Sequence, residues 1–495
     1  MPKSLPARLP WLALPGLAAV AATLSLMTAS SQATAPMHVT RLAGSASLAL
    51  GFVDDPLFED TPPAIEQLAM TTAARIGSGW VRLSVLWNEI APAERPANFR
   101  AADPADPHYA WGSLDAAVRA ATAAHQRILL TVYSPPAWAL GKGPPGTIAW
   151  KPSPADLGAF AEAVARRYDG RFVDAAESSI PLPAVADFQA WNEPNVPAEI
   201  SPQWVKTGPG RYRPFAPGWY RRMLNAFYAG VTRVQPHAFV LAAGLEPYGD
   251  PPGVNRMHPV TFEAALLCLD SLLRPLPCPD PAHLDGIDAH PYSVSPVSQA
   301  LNVDDTSVSD VYRLVRVIAA AERDHRALPQ GPKQTWVTEI EWGSDPPGTG
   351  GISLAVQARY LDLCFYSLWA QKVSHILWFG LSDRGDTDAY QVVGSGVFFA
   401  SGLAKPAARA FAFPFVAIPS TRQQLTLWGR APRAGRVTIE VDVRSIWRRI
   451  ATLQTTSGGI FAARVPRPLA GLVLRAVEQN STSLDWTAVR GATGR

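Results

Sequence analysis

Two short motifs hold the groups best suited to proton transfer in this chain. One is Trp191-Asn192-Glu193-Pro194-Asn195, which ends the apolar run 185–191; the other is Thr338-Glu339-Ile340-Glu341-Trp342. A pair of carboxyl groups facing each other across a gap suits cleavage of a glycosidic bond. One protonates the departing oxygen, and the other stabilises or attacks the anomeric carbon. Arg82, His290 and Tyr292 sit at or near the ends of other apolar runs and supply charge and hydrogen bonds for such a pair. Trp138, Trp342 and Trp378 lie at similar positions, with flat faces able to stack on sugar rings. A lone glutamate is ordinarily a surface residue, and a lone histidine can be a satisfied core group. Their shared place at the ends of apolar runs singles these out.

Such residues act together only if the fold brings run ends to one place. Candidate strands cover 48–53, 80–86, 127–133, 185–191, 238–244, 284–290, 334–340 and 374–380, with helical segments between them. Eight strands separated by helices predict a (β/α)8 TIM barrel over residues 45–412. A doubly wound sheet would carry a glycine-rich first turn, and none follows residue 53. In a barrel the C-terminal strand ends open on one mouth. That places Glu193 and Glu339 on opposite sides of it, with Asp54, Asp55 and Glu246 as further acidic groups that turn geometry alone would also explain. Strand alternation sets Glu339 and Glu341 on the same face, so periodicity does not choose between them. Past residue 415 short alternating strands predict a small C-terminal antiparallel module, sandwich-like, over 420–490.

"WNEPN" followed by "VTEIEW" resembles the retaining glycoside hydrolases of clan A, cellulase-type (β/α)8 enzymes, with families 5 and 39 the most similar. The resemblance implies Glu193 as acid/base at the end of the fourth strand and Glu339 as nucleophile on the seventh. Asn192 would then hydrogen-bond the sugar 2-hydroxyl. "AHPY" is similar to the sixth-strand motif, making His290 and Tyr292 site residues. Arg82 in "WVRLSVLW" matches the second-strand arginine, and Trp378 the eighth-strand tryptophan. Two departures stand out: "TVYSPPAW" lacks the third-strand histidine frequent in family 5, and Glu341 replaces the usual glycine of Thr-Glu-Ile/Phe-Gly-Trp. The Thr338-Glu339-Ile340 register favours Glu339, leaving Glu341 to bind substrate. The implied activity is hydrolysis of O-glycosidic bonds in a β-linked polysaccharide or oligosaccharide by double displacement, with no metal or organic cofactor. A transglycosylase or a non-catalytic carbohydrate-binding protein on the same barrel remains open.

Composition agrees with a carbohydrate partner. Net charge is +3 over 495 residues with no block of like charge, which speaks against nucleic acid. Apolar residues make up 47%, enough for a large core. Residues 1–35 read as a secretory signal peptide: Lys3 and Arg8, then "WLALPGLAAVAATLSLM", then "TASSQATA" with cleavage near Ala33. A secreted protein without stable membrane insertion follows; an uncleaved N-terminal anchor is the rival. Cys268 and Cys278 can pair across a short loop, Cys364 reads as a buried thiol, and no HExxH motif occurs. Oligomeric state is not legible.

Overall fold

A strand packed on both faces has to be apolar along nearly its whole length, and eight runs meet that demand. They form β1 (Ala49–Val53), β2 (Trp80–Leu86), β3 (Arg127–Tyr133), β4 (Asp187–Ala190), β5 (Phe239–Leu245), β6 (Gly286–Ala289), β7 (Gln334–Val337) and β8 (Val373–Phe379). Each pairs in parallel with the next and β8 with β1, closing the barrel. One main helix follows each strand: α1 (Pro63–Arg75), α2 (Gly112–Ala123), α3 (Pro154–Arg167), α4 (Ala216–Val234), α5 (Pro259–Leu266), α6 (Tyr312–Arg323), α7 (Leu354–Ala370) and α8 (Pro406–Ala412). The chain is a (β/α)8 TIM barrel. This computed structural model describes residues 40–174, 179–384, 392–468 and 472–488, so the expected signal segment lies outside it. Among the described residues, no helix is long and apolar enough to cross a membrane.

The helices follow from local sequence. Ser153 and Ser353 cap α3 and α7, each hydroxyl accepting the amide three residues on. On α4, Tyr220, Met223, Leu224, Phe227 and Val231 make one buried stripe. Gly230 lets α4 touch α3 backbone to backbone, since a Cβ there would lie 2.2 Å from the Gly158 carbonyl oxygen. Inside the barrel, Trp80, Leu129, Leu241 and Trp336 form an apolar floor at the strand starts, with His375 stacked on Trp336 at 3.7 Å.

Three strands stop short of their apolar runs. β4 ends at Ala190 because Trp191 and Glu193 adopt φ of +80° and +38°, a region that breaks the ladder. β7 ends at Val337 because the Thr338 amide donates to the Asp288 carboxylate (2.9 Å) instead of a strand carbonyl. β6 likewise ends at Ala289, one residue before His290.

The module after the barrel contains β9 (Phe415–Pro419), β10 (Gln424–Arg430), β11 (Arg436–Val443), β12 (Ile446–Gln454), β13 (Ile460–Pro466) and β14 (Val473–Glu478). One antiparallel sheet runs β9-β10-β13, and the other β12-β11-β14 with short edge strands Ser481–Thr482 and Trp486–Thr487. Buried Leu425, Leu427 and Val465 from the first sheet share a core with Val437, Ile439 and Leu474 from the second. Thr40–Arg41, upstream of the barrel, pairs with β13 and extends the first sheet. Its two residues carry no strand pattern of their own, so only the tertiary contact defines them. Cys268 and Cys278 are joined by a disulfide, and Cys364 is a buried free thiol.

Aromatic side chains weld module to barrel. Trp428 of β10 is fully buried against Tyr366 and Trp369 of α7, each at 5.9 Å between ring centroids. Within the barrel, Phe411 of α8, the helix that leads into the module, stacks on Phe52 of β1 at 4.3 Å. Trp428→Ala is therefore expected to lower the unfolding free energy by about 3–5 kcal/mol, the cost of truncating a fully buried tryptophan. Urea denaturation checks this; a loss under about 1 kcal/mol would mean that the joint contributes little.

Candidate active site

Polar side chains inside a barrel of apolar strands have to satisfy one another, and here they form a continuous belt. Arg82, on β2 and 2% exposed, is its hub. Its Nε donates to Thr131 Oγ1 (2.9 Å), Nη1 to Glu339 Oε1 (2.5 Å) and Nη2 to Asn192 Oδ1 (3.0 Å). The Thr131 hydroxyl donates to Gln189 Oε1 (2.7 Å), and Gln189 Nε2 to Asp288 Oδ2 (2.6 Å). Asp288 accepts both the amide and the hydroxyl of Thr338, at 2.9 and 2.5 Å.

His290, with no exposed surface, joins the two motifs. Its Nδ1 lies 3.0 Å from Glu193 Oε1 and 3.6 Å from Glu339 Oε2, while Nε2 lies 3.2 Å from Thr338 Oγ1 and 3.4 Å from Asp288 Oδ2. The Tyr292 hydroxyl donates to Glu339 Oε2 at 2.7 Å. One donor atom each from Glu193, His290 and Glu339 fall within 4.8 Å of one another. Gly244 on β5 makes room for this: a Cβ there would stand 2.0 Å from His290 Nε2 and 2.7 Å from Asp288 Oδ2. Glu193 is held at its positive φ by a backbone bond from its amide to the Gly244 carbonyl (3.0 Å). Strain of this kind persists where the surroundings fix it.

The charges divide in opposite directions. Burial alone would push the Glu339 carboxyl up, but the charges of His290 and Arg82 and the Tyr292 hydrogen bond hold it well below the usual carboxylate range. Burial likewise opposes a charged His290, yet the Glu339 charge and bonds to Asp288 and Glu193 raise it to about 10. The imidazole is thus protonated near neutrality. Its ring nitrogens face the carboxylates of Glu193, Glu339 and Asp288. Glu246, at the exit of β5, is pushed up to about 7 by burial and by the charge of Glu193, against the pull of Arg256.

Of the residues singled out in the sequence, Glu193, Glu339, Asn192, Arg82, His290 and Tyr292 meet in this one network. Of the two glutamates of the second motif, Glu339 is the one bonded to Arg82 and to the Tyr292 hydroxyl. Alternation fails as a guide there because the strand has already ended at Val337. Glu341 is buried beyond it, accepting the Val392 amide at 3.3 Å. Trp378 needs correction. It is fully buried, donates Nε1–H to the Ser395 carbonyl (2.9 Å), and offers no open face for a sugar. Trp138, half-buried, packs against Trp87 and Phe99 under the Arg95 guanidinium and donates Nε1–H to the Pro92 carbonyl (2.8 Å). Asp54 binds the amides of Leu381 and Ser382, tying the end of β1 to the loop after β8, and Asp55 accepts the Ser84 hydroxyl. Thr131, Gln189, Asp288 and Thr338 escaped the sequence reading. Their signal was present: each is a polar residue inside or just past an apolar strand run.

The shifts set a pH dependence. A raised histidine contributes stability that is complete below its unfolded value of about 6.5 and is lost as pH climbs through its folded value. The depressed carboxyl of Glu339 contributes above about 4.3 and loses its contribution as pH falls. The pair therefore stabilises most between those limits. His290→Gln is expected to cost most stability near pH 5.5 and progressively less toward pH 9, read from urea denaturation of both proteins. A cost that stays flat across that range contradicts a charged His290.

No family model and no curated protein matches the chain. Solved structures do match. A glucosidase from Croceicoccus marinus aligns over 86% of this chain and 97% of its own at 14% identity, with a TM-score of 0.50. A family 39 glycoside hydrolase from Bacteroides cellulosilyticus covers 85% of this chain and 81% of its own at 16% identity and TM-score 0.49. The family 39 enzyme from Xanthomonas axonopodis pv. citri covers 86% and 93% at 14% identity and TM-score 0.44. The likeness to the Croceicoccus structure is one of fold, and it spans most of both chains.

Proposed function

We propose that this protein is a retaining glycosidase that hydrolyses O-glycosidic bonds of a β-linked oligosaccharide or polysaccharide. The observation that carries this reading is the meeting of Glu193 and Glu339 across His290, with carboxylate oxygens within 4.8 Å. That closeness supports the separation of about 5–5.5 Å used for double displacement over the wider gap of an inverting enzyme. The fold shared with the solved glycosidases supports it.

In the proposed reaction Glu339, ionised and oriented by Arg82 and Tyr292, attacks the anomeric carbon. Glu193 gives its proton to the departing glycosidic oxygen as that bond breaks. The glycosyl ester leaves Glu339 without charge. Glu193, now a carboxylate, takes a proton from water as the water oxygen attacks the anomeric carbon and releases Glu339. Asn192 gives Oδ1 to Arg82, so its amide N–H remains to meet the sugar 2-hydroxyl. Export by the N-terminal segment belongs to the same proposal, since an extracellular glycan is the natural substrate of an exported hydrolase.

A panel of aryl β-glycosides tests it. The wild type should release product with retained anomeric configuration by NMR. Glu339→Gly should lose about 10⁴-fold or more in kcat, and azide should restore turnover as a glycosyl azide. Glu193→Ala should lose most on poor leaving groups and little on activated ones. An inverted product would overturn the assignment of Glu339 as nucleophile.

A further inference from the structure

The loop after β4 grows into an exposed hairpin, Trp204–Gly208 paired with Arg211–Pro214. From residue 200 to 245 the chain carries six Lys or Arg and no Asp or Glu, so the small net charge of the whole hides a local excess. On the hairpin Lys206, Arg211 and Arg213 are exposed, and none of the ion pairs among the described residues engages them. The loop after β3 runs beside it and is also free of acid from 139 to 153. Backbone bonds zip the two loops together, Lys151 N–H to Ser201 O at 2.9 Å and Ser201 N–H to Ala149 O at 2.7 Å.

Aromatic rings lie among these charges. The Lys151 ammonium sits 5.3 Å from the Trp150 ring centre and 5.1 Å from that of Phe215. Phe215 stacks on Trp219, and the Arg222 guanidinium covers Trp219 at 4.0 Å. The half-buried Trp150 is backed by Gly143, where a Cβ would fall 2.5 Å from the indole. At its other edge the hairpin lays Tyr212 on Gly253, in the loop after β5. Its root is tied to the catalytic motif, because Gln203 Nε2 donates to the Pro194 carbonyl (2.9 Å), next to Glu193.

From this juxtaposition we infer that the hairpin and the Lys151 loop form a binding site for an anionic glycan chain, one bearing carboxylates or sulfates, whose further residues reach Glu193 and Glu339. Cations recognise the acid groups, and half-buried rings take the apolar faces of the sugars. Continuity with the mouth selects a glycan over nucleic acid or a lipid surface. The inference names the substrate class of the proposed glycosidase and rests on that reading, but it is tested by binding alone.

The test uses full-length Glu339→Gln protein and affinity electrophoresis in gels holding polygalacturonate, dextran sulfate or neutral dextran. Retention should appear with one or both acidic polymers and not with dextran, and should weaken as salt rises. Adding Lys206→Ala, Arg211→Ala and Arg213→Ala together should reduce that affinity roughly tenfold or more. Retention by polygalacturonate alone assigns carboxylate as the recognised group, and by dextran sulfate alone, sulfate. Unchanged retention of the triple variant overturns the site, as does equal binding to duplex DNA or phosphatidylserine vesicles. If the wild type cleaves no aryl glycoside but charge-dependent retention persists, the hydrolase reading fails and the glycan site stands.

Discussion

The ion pair between Arg82 and Glu339 sets the terms for everything around it. Both side chains are out of water, and a buried charge left without its partner costs several kcal/mol. Arg82 spends three donors on Thr131, Glu339 and Asn192, so the group that holds Glu339 also holds the residue beside Glu193. The rest of the belt follows from satisfying what those partners leave open. Thr131 needs an acceptor and finds Gln189; Gln189 needs one and finds Asp288. Asp288 in turn draws the Thr338 amide out of the sheet, which ends β7 and turns Glu339 toward Arg82. The geometry of the belt is thus a consequence of polar satisfaction inside an apolar barrel.

Burial does not by itself decide which carboxyl stays charged. Glu339 is buried and Asp55 half-buried with one carboxylate oxygen out of water, and both feel Arg82. Asp55 is nevertheless pushed up to about 6, because burial outweighs the Arg82 charge and Glu339 repels it. Glu339 goes the other way because two cations and a phenol touch it directly. Contact distance, which governs Coulomb energy and hydrogen bonding together, wins over desolvation only within a bond length or so of the donors. The same comparison separates Glu339, held ionised inside the belt, from acidic neighbours such as Asp54 that hold loops in place.

How much of this was legible depended on whether the cause was local. Period and length identified all eight barrel strands, because burial on both faces writes itself into every residue of the run. Glu193 was legible for a related reason: an Asn-Glu-Pro sequence cannot continue a buried strand. The choice between Glu339 and Glu341 was not legible from alternation, since the strand ends at Val337 through a side chain 50 residues away. Trp378 misled for the opposite reason. A strand-end position places a ring near the mouth, but its bond to the Ser395 carbonyl in the loop after β8 keeps this ring buried. Thr40–Arg41 was invisible, being a strand only because β13 offers an edge.

The loop after β4 joins the two kinds of constraint. Its root, Trp191 to Pro194, is dictated by the barrel interior and tolerates positive φ because Val132 and Gly244 carbonyls anchor the amides of Trp191 and Glu193. Its tip is dictated by nothing inside the protein: the charges on the hairpin have no acidic partner there and gain nothing from one another. Gln203 connects root to tip, bonding the Pro194 and Ile200 carbonyls with its amide and receiving the Phe215 amide at its own carbonyl. A hairpin so braced holds its cations at fixed distances from Glu193 instead of trailing in solvent. Like charges kept close on a rigid support repel, and the protein spends that repulsion on a surface with no structural need for it. The cost is offset only when something anionic arrives, which places the specificity of this barrel in its loops and its chemistry in the belt beneath them.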